Sequence, residues 1–161
     1  MPETYDSRPD TEAHIARVRD LLNEVLNNLF ARMKAHDASK LESPEKEMFD
    51  RYTPLLRGLT YGSPEYEAVR QEMRATALEH HYQHNSHHPE HYPDGISGMS
   101  LLDVIEMLAD WKAAGERHAN GSLSKSLEIN RSRFGAVDMH AVIANTAREL
   151  GWVAPTEEAR P

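Results

Sequence analysis

The chain has 161 residues, 39% hydrophobic and 27% charged, with a net charge of −8 and no cysteine. That length suits one domain able to bury a core. The acidic balance disfavours gripping duplex nucleic acid by its phosphates, and the absence of thiols excludes disulfides, thiolate metal sites and cysteine nucleophiles.

Residues 1–9 read as a flexible N-terminal arm, without the apolar stretch of a signal peptide. From Asp10, the apolar positions Ile15, Val18, Leu22, Val25, Leu29 and Met33 recur at helical period to about Ala35. Ser43-Pro44 reads as N-cap and first residue of a second helix, with Glu45 and Glu47 at the positive end of its dipole. That helix is expected to end between Pro54 and Gly58. Ser63-Pro64 repeats the signal and opens a stripe of Tyr66, Val69, Met73 and Ala77. A loop follows from Ser86 to Gly98. Ser100 with Asp103 forms a capping signal for a helix to about His118. A short helix over 123–132 and a last one from Asp138 to about Leu150 precede a frayed tail, 151–161. No period-2 alternation marks a strand. The expected fold is all-α, a single domain over 10–150 with five to seven helices. No run approaches the roughly 18 apolar residues of a membrane span, so a cytoplasmic location without a membrane partner is expected.

Histidine is the unusual residue: six of the ten lie between His80 and His91. His80 and His84, at i and i+4, share a helical face that continues the Tyr66–Ala77 stripe. His81 and His88 are able to join them after a turn at Asn85-Ser86. A surface histidine tract is the competing reading, but such tracts do not extend a core face. His36 and Asp37 stand at a helix end, where an imidazole and a carboxylate turn toward one point and form a partial shell for Zn, Mn or Fe. Asp103, Glu106 and Asp110 line one side of an otherwise apolar helix. They are either its solvated face, or they bring Asp110 to a metal with Glu106 as a supporting group or base. His14 is a further candidate ligand. In one straight helix it lies about 33 Å from His36, so both reach one ion only if the segment folds back near Asn27-Asn28.

The order His14, His36-Asp37, Asp110 resembles the metal signature of the HD-domain superfamily of metal-dependent phosphohydrolases. Lys40 sits where many members carry a lysine after the doublet, and LADWKAA is similar to the helix supplying the last aspartate. HHPEHYPDGISG is loosely similar to the second-metal segment of the HD-GYP branch, without its GYP triplet. The span from His14 to about Leu150 also resembles an uncharacterised phage and bacterial family with His-Asp-x-Ser-Lys, a His/Asn-rich block and an Asp-Trp helix. The resemblance implies an HD-like helical bundle and one or two divalent ions (Mn, Fe, Zn, Mg or Co). It implies ligands among His14, His36, Asp37, His80, His81, His88 and Asp110, and catalytic roles for Asp37, Lys40 and Glu106. It implies substrate binding by Lys40, His84, His87 and Arg133. The implied reaction is hydrolysis of a nucleotide or related phosphoester by metal-activated water, in host cytoplasm if the chain is phage-encoded. An HD-like di-iron oxygenase, a non-catalytic binding protein with a structural metal, and a homo-oligomer stay open.

Overall fold

The structure is a computed structural model that describes residues 5–60, 62–93, 95–117 and 121–134. Among them are six α-helices, several single 3₁₀ or π turns and no strand, so the all-α expectation holds. The expected helix from Asp138 and the tail lie outside the described residues. No described helix is long and apolar enough to cross a membrane. The chain forms two compact units, Met1–His36 and Asp37–Pro161.

The first unit is one helix, α1 (Arg8–Ala35), with Pro9 in its first turn, Asp10 near its positive end and Arg32 and Lys34 near its negative end. One helix has nothing of its own to cover its apolar stripe. No α1 residue is buried, and Ile15, Val18, Leu22, Val25 and Met33 are all exposed.

In the second unit, a 3₁₀ turn (Ala38–Leu41) leads to α2 (Glu45–Arg57), α3 (Pro64–Met73), a π turn (Arg74–Leu78) and α4 (Glu79–His84). Two 3₁₀ turns, Pro89–His91 and Gly95–Gly98, connect to α5 (Leu101–Glu116) and α6 (Leu123–Phe134). α3 starts as its sequence predicts: Ser63 caps the backbone N–H of Tyr66 at 3.2 Å. α5 carries a full capping box between Ser100 and Asp103. α2 begins one residue later than expected, at Glu45, with Pro44 as the flanking position.

Two small apolar clusters hold this unit. Tyr52, Met73, Leu78 and Tyr82 join α2, α3, the π turn and α4. Ile96, Met99, Val104, Met107, Leu108 and Leu123 join the Gly95–Gly98 turn and its neighbour to α5 and α6. The histidine block connects the first set of elements to the second.

Candidate metal centre

Asp37 opens the second unit. Its φ of 55° is left-handed, a conformation that Asp tolerates better than most residues. The bend passes directly into the Ala38–Leu41 turn, closed by Lys40 N–H donating to the Asp37 carbonyl at 2.9 Å. That turn packs on α4. It leaves Lys40 Nζ 2.5 Å from Asp37 Oδ2 and Ser39 Oγ donating to Glu45 Oε2 at 3.0 Å.

The π turn decides which histidines enter the site. At ordinary α period, a stripe through Met73 and Ala77 continues through 80 and 84. A π turn is wider, so steps of four hold one face and the buried positions run Met73, Ala77, His81. His81 is therefore inside, 1% exposed. His84 is exposed, stacked on His80 with ring centroids 4.0 Å apart and donating from Nδ1 to the His80 carbonyl at 2.7 Å.

After α4, the chain turns at Asn85-Ser86, with His88 N–H donating to the Asn85 carbonyl at 3.3 Å. Ser86 Oγ donates to buried Asp103 Oδ1 at 2.7 Å, and Tyr92 Oη donates to Asp103 Oδ2 at 3.0 Å. One carboxylate of α5 thus pins both ends of the segment that carries His87 and His88. His91 donates from Nδ1 to the Tyr82 carbonyl at 2.7 Å and ties the segment to α4.

These anchors bring Asp37, His81, His87 and His88 together, each offering a ligand atom within 4.8 Å of all the others. His81 Nε2 lies 2.9 Å from His88 Nε2 and 3.2 Å from Asp37 Oδ1. His87 Nε2 lies 3.5 Å from the same oxygen, and its Nδ1 is 3.3 Å from Glu106 Oε1. Ligands at about 2.1 Å from a tetrahedral ion stand about 3.4 Å apart, so these separations fit a divalent ion. The donor set of imidazole nitrogens and a carboxylate fits it chemically as well. Burial, reinforced by His87, His81 and Lys40 alongside, pushes the His88 imidazole down to about 2, so it stays a neutral donor. Glu45 is 0% exposed. Burial works to raise its carboxyl, but bonds from His80, His81 and Ser39 hold it below the usual carboxylate range. A cavity of about 690 Å³ opens beside the cluster, lined by Asp37, Lys40, His81, His88 and Asp110, and farther along by Arg70, Trp111 and Arg133.

Several expectations are corrected. His14 does not share an ion with His36. α1 is unbroken from Arg8 to Ala35, which separates the two by about 33 Å. His84 does not line the cavity, because the π turn rotates it outward. Among the described residues, His80 joins no group of converging donors; its Nδ1 donates to Glu45 Oε1 at 2.7 Å. His87, expected to contact substrate, stands among the donors able to hold an ion. Arg133 lines the cavity, where it also pairs with Glu90. Asp37 and Asp110, expected as ligands of one ion, both line the cavity, and His36 caps the end of α1. Glu45, Ser39 and Asp103 escape a reading of the sequence. Glu45 looks there like an ordinary dipole-complementing acid, and Asp103 like an ordinary capping residue.

The profile of a family described as "Family of unknown function (DUF5662)" matches residues 3–150. No curated protein and no solved structure matches the chain.

Proposed function

We propose that the chain, which belongs to the DUF5662 family of unknown function, is a metal-dependent phosphohydrolase centred on Asp37, His81, His87 and His88. The observation that carries this reading is the convergence of those four donors beside a cavity large enough for a small-molecule substrate. The likeness of His36-Asp37 and Asp110 to the HD-type signature supports the reaction class. Asp110, on the same cavity wall as Asp37, is a further donor in this reading. Imidazole-rich coordination suits Zn, Fe, Co or Mn better than Mg, which prefers an all-oxygen shell.

A divalent ion held there supplies Lewis acidity and makes water a nucleophile near neutral pH. The chain's own groups do the rest. Lys40, fixed on Asp37 Oδ2, sets a positive charge at the cavity wall where a phosphoryl group is drawn in. Arg70 and Arg133 on the same wall complement the remaining charge of a nucleotide or similar cytoplasmic phosphoester. Glu106 orients His87 through Nδ1.

The test is metal analysis of the purified chain together with a phosphoester and nucleotide panel. The expected result is a bound divalent ion and turnover of at least one phosphoester, with Asp37→Asn losing both. Failure to take up any divalent ion overturns the reading. A second reading has its own support: four protein donors are what a closed structural site uses. A tightly bound ion with no turnover on the panel selects it.

A further inference from the structure

We infer that Glu45 is the positioning residue of the metal centre: its buried carboxylate fixes His81 in the tautomer that turns a bare Nε2 toward Asp37 and His88. The inference rests on the metal reading above and adds to it a residue outside the ligand set.

The argument begins with Glu45 itself. It is wholly buried, at the start of α2, and among the described residues its partners are hydrogen-bond donors from Ser39, His80 and His81, not a lysine or arginine. A buried charge with no such partner is costly unless hydrogen bonds replace the lost water. Here three donors do so. Ser39 Oγ and His81 Nδ1 both reach Oε2, at 3.0 and 2.8 Å, and His80 Nδ1 reaches Oε1 at 2.7 Å. A carboxylate only accepts, so each imidazole must carry its proton on Nδ1. A neutral imidazole has one N–H. His81 Nε2 is then left with its lone pair, aimed at the space bounded by Asp37 Oδ1 and His88 Nε2. Carboxylates that hold the far nitrogen of a ligating histidine fix ring orientation and raise ligand basicity, and their loss costs about 10- to 100-fold in metal affinity.

The neighbours keep this arrangement single-valued. Asn85 Nδ2 donates one proton to Ser39 Oγ at 2.9 Å and the other to the His81 carbonyl at 2.8 Å, which leaves it none for His81 Nδ1, 3.0 Å away. Ser39 is thereby committed to donating its own proton to Glu45. The two oxygens of Glu45 serve two different histidines, which makes Gln an informative replacement. Its single carbonyl oxygen satisfies one Nδ1–H, while its NH₂ confronts the other imidazole and forces the proton to Nε2.

The experiment compares the wild-type chain with Glu45→Gln and His81→Ala. Zn²⁺ affinity is read by competition with a chromophoric chelator, and histidine tautomers by long-range ¹H–¹⁵N spectra of the metal-free chain. We expect His81 to be the Nδ1–H tautomer in the wild type and Glu45→Gln to bind Zn²⁺ about 10- to 100-fold more weakly. A merely structural role does not move the tautomer signal. Glu45→Gln binding Zn²⁺ as tightly as wild type while His81→Ala does not overturns the inference and leaves the metal reading intact. If the wild type binds no Zn²⁺, the metal reading falls. If Glu45→Gln fails to fold, the wild-type spectrum decides alone: a proton on His81 Nε2 overturns the inference.

Discussion

Asp37 combines a left-handed backbone with a place among the donors able to hold an ion. A left-handed conformation costs an ordinary L-residue about 1–2 kcal/mol, and Asp and Asn are partly excused by short polar side chains that bond locally. The two roles therefore separate by substitution. Asp37→Asn keeps the backbone preference and removes the charge, so it unfolds in urea near the wild-type midpoint yet fails to retain the ion. Asp37→Ala loses the ion and is about 1 kcal/mol less stable than the Asn variant when both are measured in EDTA. Equal stability of the two variants shows that the backbone there is unstrained. His88 gives a second test. Its imidazole stays neutral in the folded chain down to about pH 2 because it is buried beside two other imidazoles and Lys40. Unfolded, it takes a proton near pH 6.5. The unfolded state thus binds the extra proton below that pH, and stability falls as the solution is acidified from 6.5 toward 2, by up to about 1.4 kcal/mol per pH unit. Glu45 acts in the same direction at lower pH: its folded carboxyl lies below the usual range, so its contribution is lost as pH falls through 4 and beneath. Urea midpoints of the metal-free chain between pH 7.5 and 5 check the His88 slope. His88→Gln should flatten it.

Among the elements, the π turn and the Asp103 anchor place the donors. The π turn makes His81, and not His80, the successor of Ala77 on the buried face. Deleting one residue from Arg74–Leu78 restores an ordinary helical turn and rotates α4 by about 100°. The expected outcome is a chain that stays helical by circular dichroism but has lost Zn²⁺ binding. Asp103 accepts from Ser86, Tyr92 and both the backbone and the hydroxyl of Ser100. Asp103→Ala removes a helix cap and leaves three hydroxyls seeking partners in a buried place. A loss of about 2–4 kcal/mol is expected by urea unfolding, with metal affinity falling because His87 and His88 are no longer tethered. Local chemistry written over three or four residues was readable from the sequence: the Ser63 and Ser100 caps and the helical stripes. The π turn was not. It has no Gly or Pro to announce it, and one extra residue per turn is enough to exchange His80 and His84 for His81. That Asp37 and Asp110 both line the cavity agrees with what the HD-type resemblance implied; the acidic stripe alone read equally well as a solvated face. Glu45 was not legible, since a glutamate in the first turn of a helix is sufficiently explained by the dipole.

In the molecule as a whole, the donors span the division between two small cores. His81 adjoins Tyr82 of one apolar cluster, and His87 faces Glu106, which adjoins Met107 of the other. Neither cluster is large, so the polar segment from His81 to Tyr92 carries much of the connection between them. His81 Nε2 and His88 Nε2, 2.9 Å apart, form a hydrogen bond when one of them carries a proton. In the proposed metal-bound state, a divalent ion would take that proton's place and be shared between the two cores. An ion that binds only the folded chain stabilises it by about 2.7 kcal/mol at a hundred times its dissociation constant. For a chain of this length that is on the order of 10 °C in Tm. Scanning calorimetry with Zn²⁺ and with EDTA should show that shift in the wild type, and Asp37→Asn should melt at one temperature in both. If EDTA leaves the wild-type Tm unchanged, the two cores are held together by apolar and hydrogen-bonded contacts alone, and the histidines are packed for another purpose than an ion.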